Sequence, residues 1–183
     1  RNRYDKAFVT AGAKLVTYGS EHEGTAAELE AAINENTACV AFVIMPFALH
    51  GVGLEETIRV AHERGVPVIV DAAAELPPRA NLSKFHKMGA DMVAFSGGKG
   101  IGGPQSSGLL AGKADLVEAA VMNSLNLDSF VAGIGRPMKV SQENIVGLVT
   151  AIHLFTYPHE AFDWLGLQLK VQYLPDRHRA IKG

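Results

Sequence analysis

Two uninterrupted apolar runs constrain this chain more than any other feature: "ACVAFVIM" at residues 38–45 and "VPVIVDA" at residues 66–72. Each has the length of a strand and shows no polar alternation, the pattern of strands buried on both faces of a parallel sheet. Between them, Leu54–Arg64 sets Leu54, Ile58, Val60 and Ala61 on one side and is followed by Gly65, as an amphipathic helix with a left-handed stop would be. Pro67 falls near the start of the second run, where a missing N–H is tolerated. Strand, helix and strand joined by short connections form the parallel crossover unit.

The rest of the chain continues the alternation. "KLVTYG" at Lys14–Gly19 reads as a short strand, followed by a helix over Thr25–Asn34 that Thr25 caps. Asn81–Met88 is predicted helical, Met92–Phe95 and Gly108–Ala111 extended, and Ala114–Asn123 and Gln142–Phe155 helical, with Ser141 as an N-cap of the last. The expected fold class is therefore α/β, with a mostly parallel central sheet flanked by helices and no domain boundary before about Thr156. Residues 1–155 are read as one unit and 156–183 as a C-terminal extension.

Composition narrows the function classes. An apolar share of 48% and a charged share of 20% over 183 residues belong to a globular chain with a sizeable core. A net charge of −2 gives no footprint for nucleic acid or an anionic membrane, and Arg177, Arg179 and Lys182 read as solvated tail. No run reaches the ~18 apolar residues of a membrane span. Cys39 is the single cysteine, so an internal disulfide is excluded; within an apolar run it reads as a buried, inert thiol, and a reducing, cytoplasmic setting is expected. The chain opens on Arg1 and is expected to begin inside a larger protein.

In open parallel sheets, ligands collect at the carboxyl ends of strands. Two polar features fall there: Asp71 after "VPVIV", and Ser96 to Lys99 within "FSGGKGIGGPQSSG" at residues 95–108. Gly98 to Gly103 matches G-x-G-x-x-G, but Pro104 and an extended segment follow instead of a helix. No acidic residue ends a following strand about 20 positions on, which argues against a dinucleotide fingerprint. The phosphate-loop pattern G-x-x-x-x-G-K-[ST] is absent, since glycine follows Lys99.

The remaining reading makes Lys99 the chemistry. A lysine amine attacks carbonyls once its surroundings favour the neutral form, and can then hold an aldehyde cofactor as a Schiff base. Gly97, Gly98 and Gly100 would give backbone clearance to such a ring or its phosphate. Ser96 would bond the phosphate, and Asp71 would keep a pyridine nitrogen protonated. Alone, Asp71 reads as a turn cap and Lys99 as a surface lysine; their convergence at adjacent strand ends favours the reactive amine.

Three stretches carry a resemblance: "VPVIVDAAAELPP" (66–78), "GADMVAFSGGKGIGGPQSSGLLAGKADLVEAA" (89–120) and "GIGRPMKVSQENIVGL" (133–148). They resemble the selenocysteine synthase-related family of fold type I pyridoxal-phosphate enzymes. That family includes bacterial seryl-tRNA selenium transferase and the D-glucosaminate-6-phosphate ammonia-lyase group. The resemblance runs from about Tyr4 to Thr150 and implies part of a pyridoxal-phosphate-binding large domain. It implies Lys99 as the Schiff-base lysine, Asp71 as the ring-nitrogen partner, Ser96 and Gly98 on the phosphate side, and Ala73 against the ring face. Arg136 and Lys139 would face a small anionic amino-acid substrate, an ion pair being the alternative for Arg136. Gln105 would position the glycine loop or reach a neighbouring subunit's phosphate site.

The resemblance further implies pyridoxal 5'-phosphate as cofactor and a homodimer or higher multiple. Members are far longer, with a preceding segment that holds the phosphate and stacks on the ring and a following small domain. "FSGGK" resembles the ammonia-lyase-like branch, whereas the selenium transferase carries "FSGDK". The expected activity is a lyase removing water and ammonia from a hydroxylated or sugar-derived amino acid. The alternatives are selenium transfer on seryl-tRNA and a cofactor-free, non-catalytic remnant of the same fold.

Overall fold

The computed structural model describes residues 5–20, 23–45, 51–124 and 133–157. In chain order these form α1 (Asp5–Thr10), α2 (Ala26–Ala32), β1 (Val40–Val43), α3 (Leu54–Glu63), β2 (Val68–Asp71), α4 (Asn81–Lys87), β3 (Met92–Ser96), β4 (Gly108–Gly112), α5 (Ala114–Asn123) and α6 (Gln142–Thr156). A single 3-10 turn, Arg136–Met138, precedes α6. The expected extension, from residue 158 onward, lies outside the described residues.

The helices begin and end where local chemistry directs. Thr25 caps α2 through a reciprocal box: its hydroxyl accepts the Glu28 N–H at 3.2 Å, and the Glu28 carboxylate accepts the Thr25 N–H at 2.9 Å. The Thr25 hydroxyl, donating at 2.8 Å, and the Thr25 N–H hold the Glu28 carboxyl below the usual carboxylate range. Ser141 caps α6 by accepting the Asn144 N–H at 3.2 Å. Gly65 stops α3 at φ +71°, with Gly65 N–H bonded to the His62 carbonyl and Val66 N–H to the Ala61 carbonyl, each at 2.9 Å.

The sheet runs in the order β1-β2-β3-β4, the first three strands parallel and β4 antiparallel to β3. Asp71 pairs with Ala94, and Ser96 with Gly108, so β2 and β3 end side by side. Val68, Val70 and Val93 are fully buried and form the core with Ile58 and Ala61 of α3 and Phe85 of α4, whose ring lies 6.3 Å from that of Phe95.

Two sequence expectations are corrected. Lys14–Gly19 is not a strand: no segment among the described residues offers it a ladder, and Val16 stays 60% exposed. The apolar runs are not buried on both faces either. Val68 and Val70 are buried, whereas Ile69 and Asp71, which alternate with them, are half-buried, and β1, at the end of the strand order, has only Val40 buried. The half-buried face, shared by Asp71, Ala94 and Ser96, is the one on which the polar residues sit.

Candidate functional site

Asp71 is the last residue of β2, and its Oδ1 accepts the N–H of Ala73 at 3.0 Å. That bond turns the chain out of the strand and fixes the carboxylate; Oδ2 has no hydrogen-bond partner among the described residues. Ser96 ends β3 on the same face, because residues paired across parallel strands share a face and Asp71 pairs with Ala94, two positions before Ser96. Lys99 follows in an exposed position, and its amine makes no ion pair among the described residues. Strand register thus brings carboxylate and hydroxyl to one face at the carboxyl edge of the sheet, and Lys99 follows three residues after Ser96 in the turn beyond it.

The turn that carries Lys99 is closed on itself. The N–H of Gly97 bonds the Ser107 carbonyl at 2.9 Å, that of Gly102 the Lys99 carbonyl at 2.9 Å, and that of Gly103 the Gly97 carbonyl at 2.8 Å. Ile101 drives the turn inward, with 1% of its surface exposed. Gln105 Nε2 donates to the Gly98 carbonyl at 2.8 Å, so Gln105 positions the glycine loop, one of its two expected roles.

The glycines have a different reason from the clearance expected of them. A Cβ on Gly97 would strike Ser107 and Leu148, one on Gly98 would strike Gln105, and one on Gly100 would strike the Leu76 carbonyl. They are glycine because the chain's own atoms fill the space. The loop after β2 and the turn after β3 are thereby pressed together at Leu76 and Gly100.

Helix α6 holds this assembly, a contribution sequence reasoning missed. Asn144 Nδ2 donates to Ser106 Oγ at 2.7 Å, and a Cβ on Gly103 would meet Leu148 and Ala151. Arg79, in the loop after β2, donates to the Thr156 carbonyl at the other end of α6. The amphipathic spacing of Leu148, Ala151 and Phe155 is the signal that could have revealed it.

Arg136 and Lys139 flank the 3-10 turn, both exposed. Neither side chain makes a hydrogen bond or ion pair among the described residues, so the ion-pair alternative for Arg136 has no partner there. Their segment is docked on the end of α5, with the Gly135 N–H bonded to the Asn123 carbonyl at 2.8 Å. No hydrogen bond among the described residues joins it to the Lys99 turn.

A second polar cluster lies at the opposite edge of the sheet and was not read from the sequence. Asp91, 1% exposed, accepts the Val68 N–H at 2.6 Å and contacts His62 Nε2 at 2.8 Å and Lys113 Nζ at 2.6 Å. Burial alone would raise its pKa, but Lys113, His62 and the Val68 N–H together hold it below the usual carboxylate value. Asp91 ties β2, α3 and the start of α5 to β3. Burial pushes the Cys39 thiol up, which suits the inert role expected of it.

A parallel sheet carrying carboxylate, serine and lysine at adjacent strand ends defines an α/β enzyme scaffold of the kind that holds a carbonyl cofactor. The chain belongs to the family described as SelA, L-seryl-tRNA selenium transferase, which it matches over residues 3–170. Its fold is the fold type I architecture of pyridoxal-phosphate enzymes, and the family's cofactor is pyridoxal 5'-phosphate. The chain is 37% identical over 148 residues to a 5'-C-glycyluridine monooxygenase-decarboxylase from Streptomyces sp, covering 79% of this chain and 34% of that protein. It is 35% identical over 148 residues to D-glucosaminate-6-phosphate ammonia lyase from Salmonella typhimurium, covering 80% of this chain and 37% of that protein. A solved structure of D-glucosaminate-6-phosphate ammonia-lyase superposes with a TM-score of 0.68 at 32% identity, over 86% of this chain and 40% of the other. The chain therefore spans about a third of the length of these two curated relatives. No helix among the described residues is long and apolar enough to cross a membrane.

Proposed function

We propose that this chain is the lysine-bearing part of a pyridoxal-phosphate lyase that removes water and ammonia from a hydroxylated or sugar-derived amino acid. The observation that carries the reading is that Asp71 and Ser96 share a face at the carboxyl edge of the sheet, with Lys99 in the turn that follows. The residues present fit the cofactor by their chemistry. A planar anionic aldehyde needs a carboxylate for its ring nitrogen, a hydroxyl for its phosphate and an amine for its carbonyl, and the edge offers one of each.

When bound, pyridoxal phosphate supplies an electron sink for charge developing at the substrate's α-carbon. Asp71, oriented by the Ala73 N–H, leaves Oδ2 to hold a proton at the ring nitrogen. Ser96 and Gly98 would hold the phosphate, and Ala73 would lie against the ring. Lys99 Nζ would hold the cofactor's carbonyl and, as a free amine, would take the substrate's α-proton as general base. Arg136 and Lys139, without an ion-pair partner among the described residues, would bind the substrate's carboxylate or phosphate. The whole protein works as a homodimer or a higher multiple in the cytoplasm.

Borohydride reduction in the presence of pyridoxal phosphate, followed by peptide mass mapping, tests this. The expected result is a cofactor adduct on Lys99; a whole protein that is unlabelled at Lys99 overturns the reading in favour of a cofactor-free remnant. Selenium transfer on seryl-tRNA is the second reading, favoured by the description of the family itself. A gel shift with seryl-tRNA separates the two: retention of tRNA supports transfer, and its absence supports the lyase.

A further inference from the structure

We propose that Gln105 is a positioning residue for Lys99, fixing the peptide plane from which the reactive amine departs. The inference rests on the role given to Lys99 above and adds a residue to that site.

Around Lys99, the backbone has little intrinsic direction. Gly97, Gly98 and Gly100 carry no Cβ, and each such residue leaves φ and ψ wide open. The structure restrains most of the turn by other means. Gly97, Gly102 and Gly103 are held through their N–H groups, and Ile101 is anchored by burial. The peptide plane joining Gly98 to Lys99 is the exception: its carbonyl has one hydrogen-bond partner among the described residues, the side-chain amide of Gln105 at 2.8 Å. That plane sets the direction of the Lys99 N–Cα bond and so the cone its side chain can sweep.

The sequence around Gln105 supports a dedicated role. Pro104 fixes φ just before it, and the Ser107 hydroxyl donates to the Pro104 carbonyl at 2.6 Å, so Gln105 sits on a stiff base. The space a Gly98 side chain would need is occupied by Gln105. The glycine and the glutamine are thus one device: the first leaves the room, and the second fills it with a donor. Attack on a carbonyl and transfer of an α-proton both need Nζ within a narrow geometry, where a misplacement of about 1 Å costs on the order of a hundred-fold in rate.

The test compares the whole protein with Gln105→Met, which keeps shape without a donor, and Gln105→Lys, which restores an N–H donor. Two readouts are taken: the rate at which added pyridoxal phosphate becomes trappable on Lys99 by borohydride, and amide hydrogen exchange at Gly102 and Gly103 without cofactor. Expected for Gln105→Met is trapping slowed about ten-fold or more, exchange at the two glycines faster by roughly five-fold, and an unchanged melting temperature, with Gln105→Lys recovering both. Wild-type trapping and exchange in Gln105→Met overturn the proposal, as does failure of Gln105→Lys to recover either. If wild type itself traps nothing at Lys99, the lyase reading falls; unaltered exchange in Gln105→Met separately removes Gln105 from the turn.

Discussion

Asp71 and Asp91 stand at opposite ends of the same pair of strands and do different work. The one side-chain bond of Asp71 among the described residues is the one it accepts from the Ala73 N–H, and an asparagine oxygen can accept it equally well. Asp71→Asn should therefore melt like wild type, yet lose turnover on the order of a hundred-fold, because the charge that holds the ring-nitrogen proton is gone. Parallel kcat and melting measurements check this; full turnover in the variant would remove Asp71 from the chemistry. For Asp91 the expectation reverses. Its pKa lies below the ordinary aspartate value of 3.8, so its contribution to stability is complete above that value and lost as pH falls through the lower folded one. Asp91→Asn should cost on the order of 1–3 kcal/mol near pH 7, by leaving buried partners poorly matched. It should also flatten the fall in melting temperature below about pH 4, as thermal melts between pH 3 and 7 would reveal.

Among the elements, α3 and the glycine turn yield expectations of opposite sign. Gly53 caps α3 with extended backbone (φ −65°, ψ 161°) and no side-chain bond, and a Cβ there meets nothing within 4 Å. Gly53→Ser should stabilise the protein by about 0.3 kcal/mol, read as a small rise in melting temperature. Gly100→Ala should do the opposite. Its methyl meets the Leu76 backbone carbonyl, so the two loops must part, at a cost of about 1–3 kcal/mol together with slower cofactor trapping at Lys99.

The same elements show what could be read in advance. Thr25, Ser141 and Gly65 were legible because a cap or a stop is settled within four residues of chain. "KLVTYG" was misread because a strand exists only through a partner, and its composition does not say whether one is near. Lys99, Ser96 and Asp71 stood out by their places at strand ends, yet the reason for the glycines did not. Ser107, Gln105, Leu76 and Leu148 fill that space, and they arrive from three different stretches of chain. Asp91 was silent for the same reason, its His62 partner lying 29 residues away.

At the scale of the whole molecule, the described residues leave one region far more apolar than a free surface usually is. Helix α6 points Leu148, Ala151 and Phe155 inward, while Ile145, Val146 and Val149 on its other side remain 52%, 66% and 61% exposed. Val121 and Met122 of α5 and Met138 of the 3-10 turn add to the exposed apolar surface. Large exposed apolar patches mark contact surfaces. The 183-residue chain alone should therefore self-associate. Val146→Glu combined with Val149→Glu should shift it toward monomer in sedimentation velocity without lowering its melting temperature, because neither side chain is part of the core. Unchanged sedimentation in the double variant would show that α6 is not the adhesive face. An equal loss of stability would show that its outer side already packs against the chain itself.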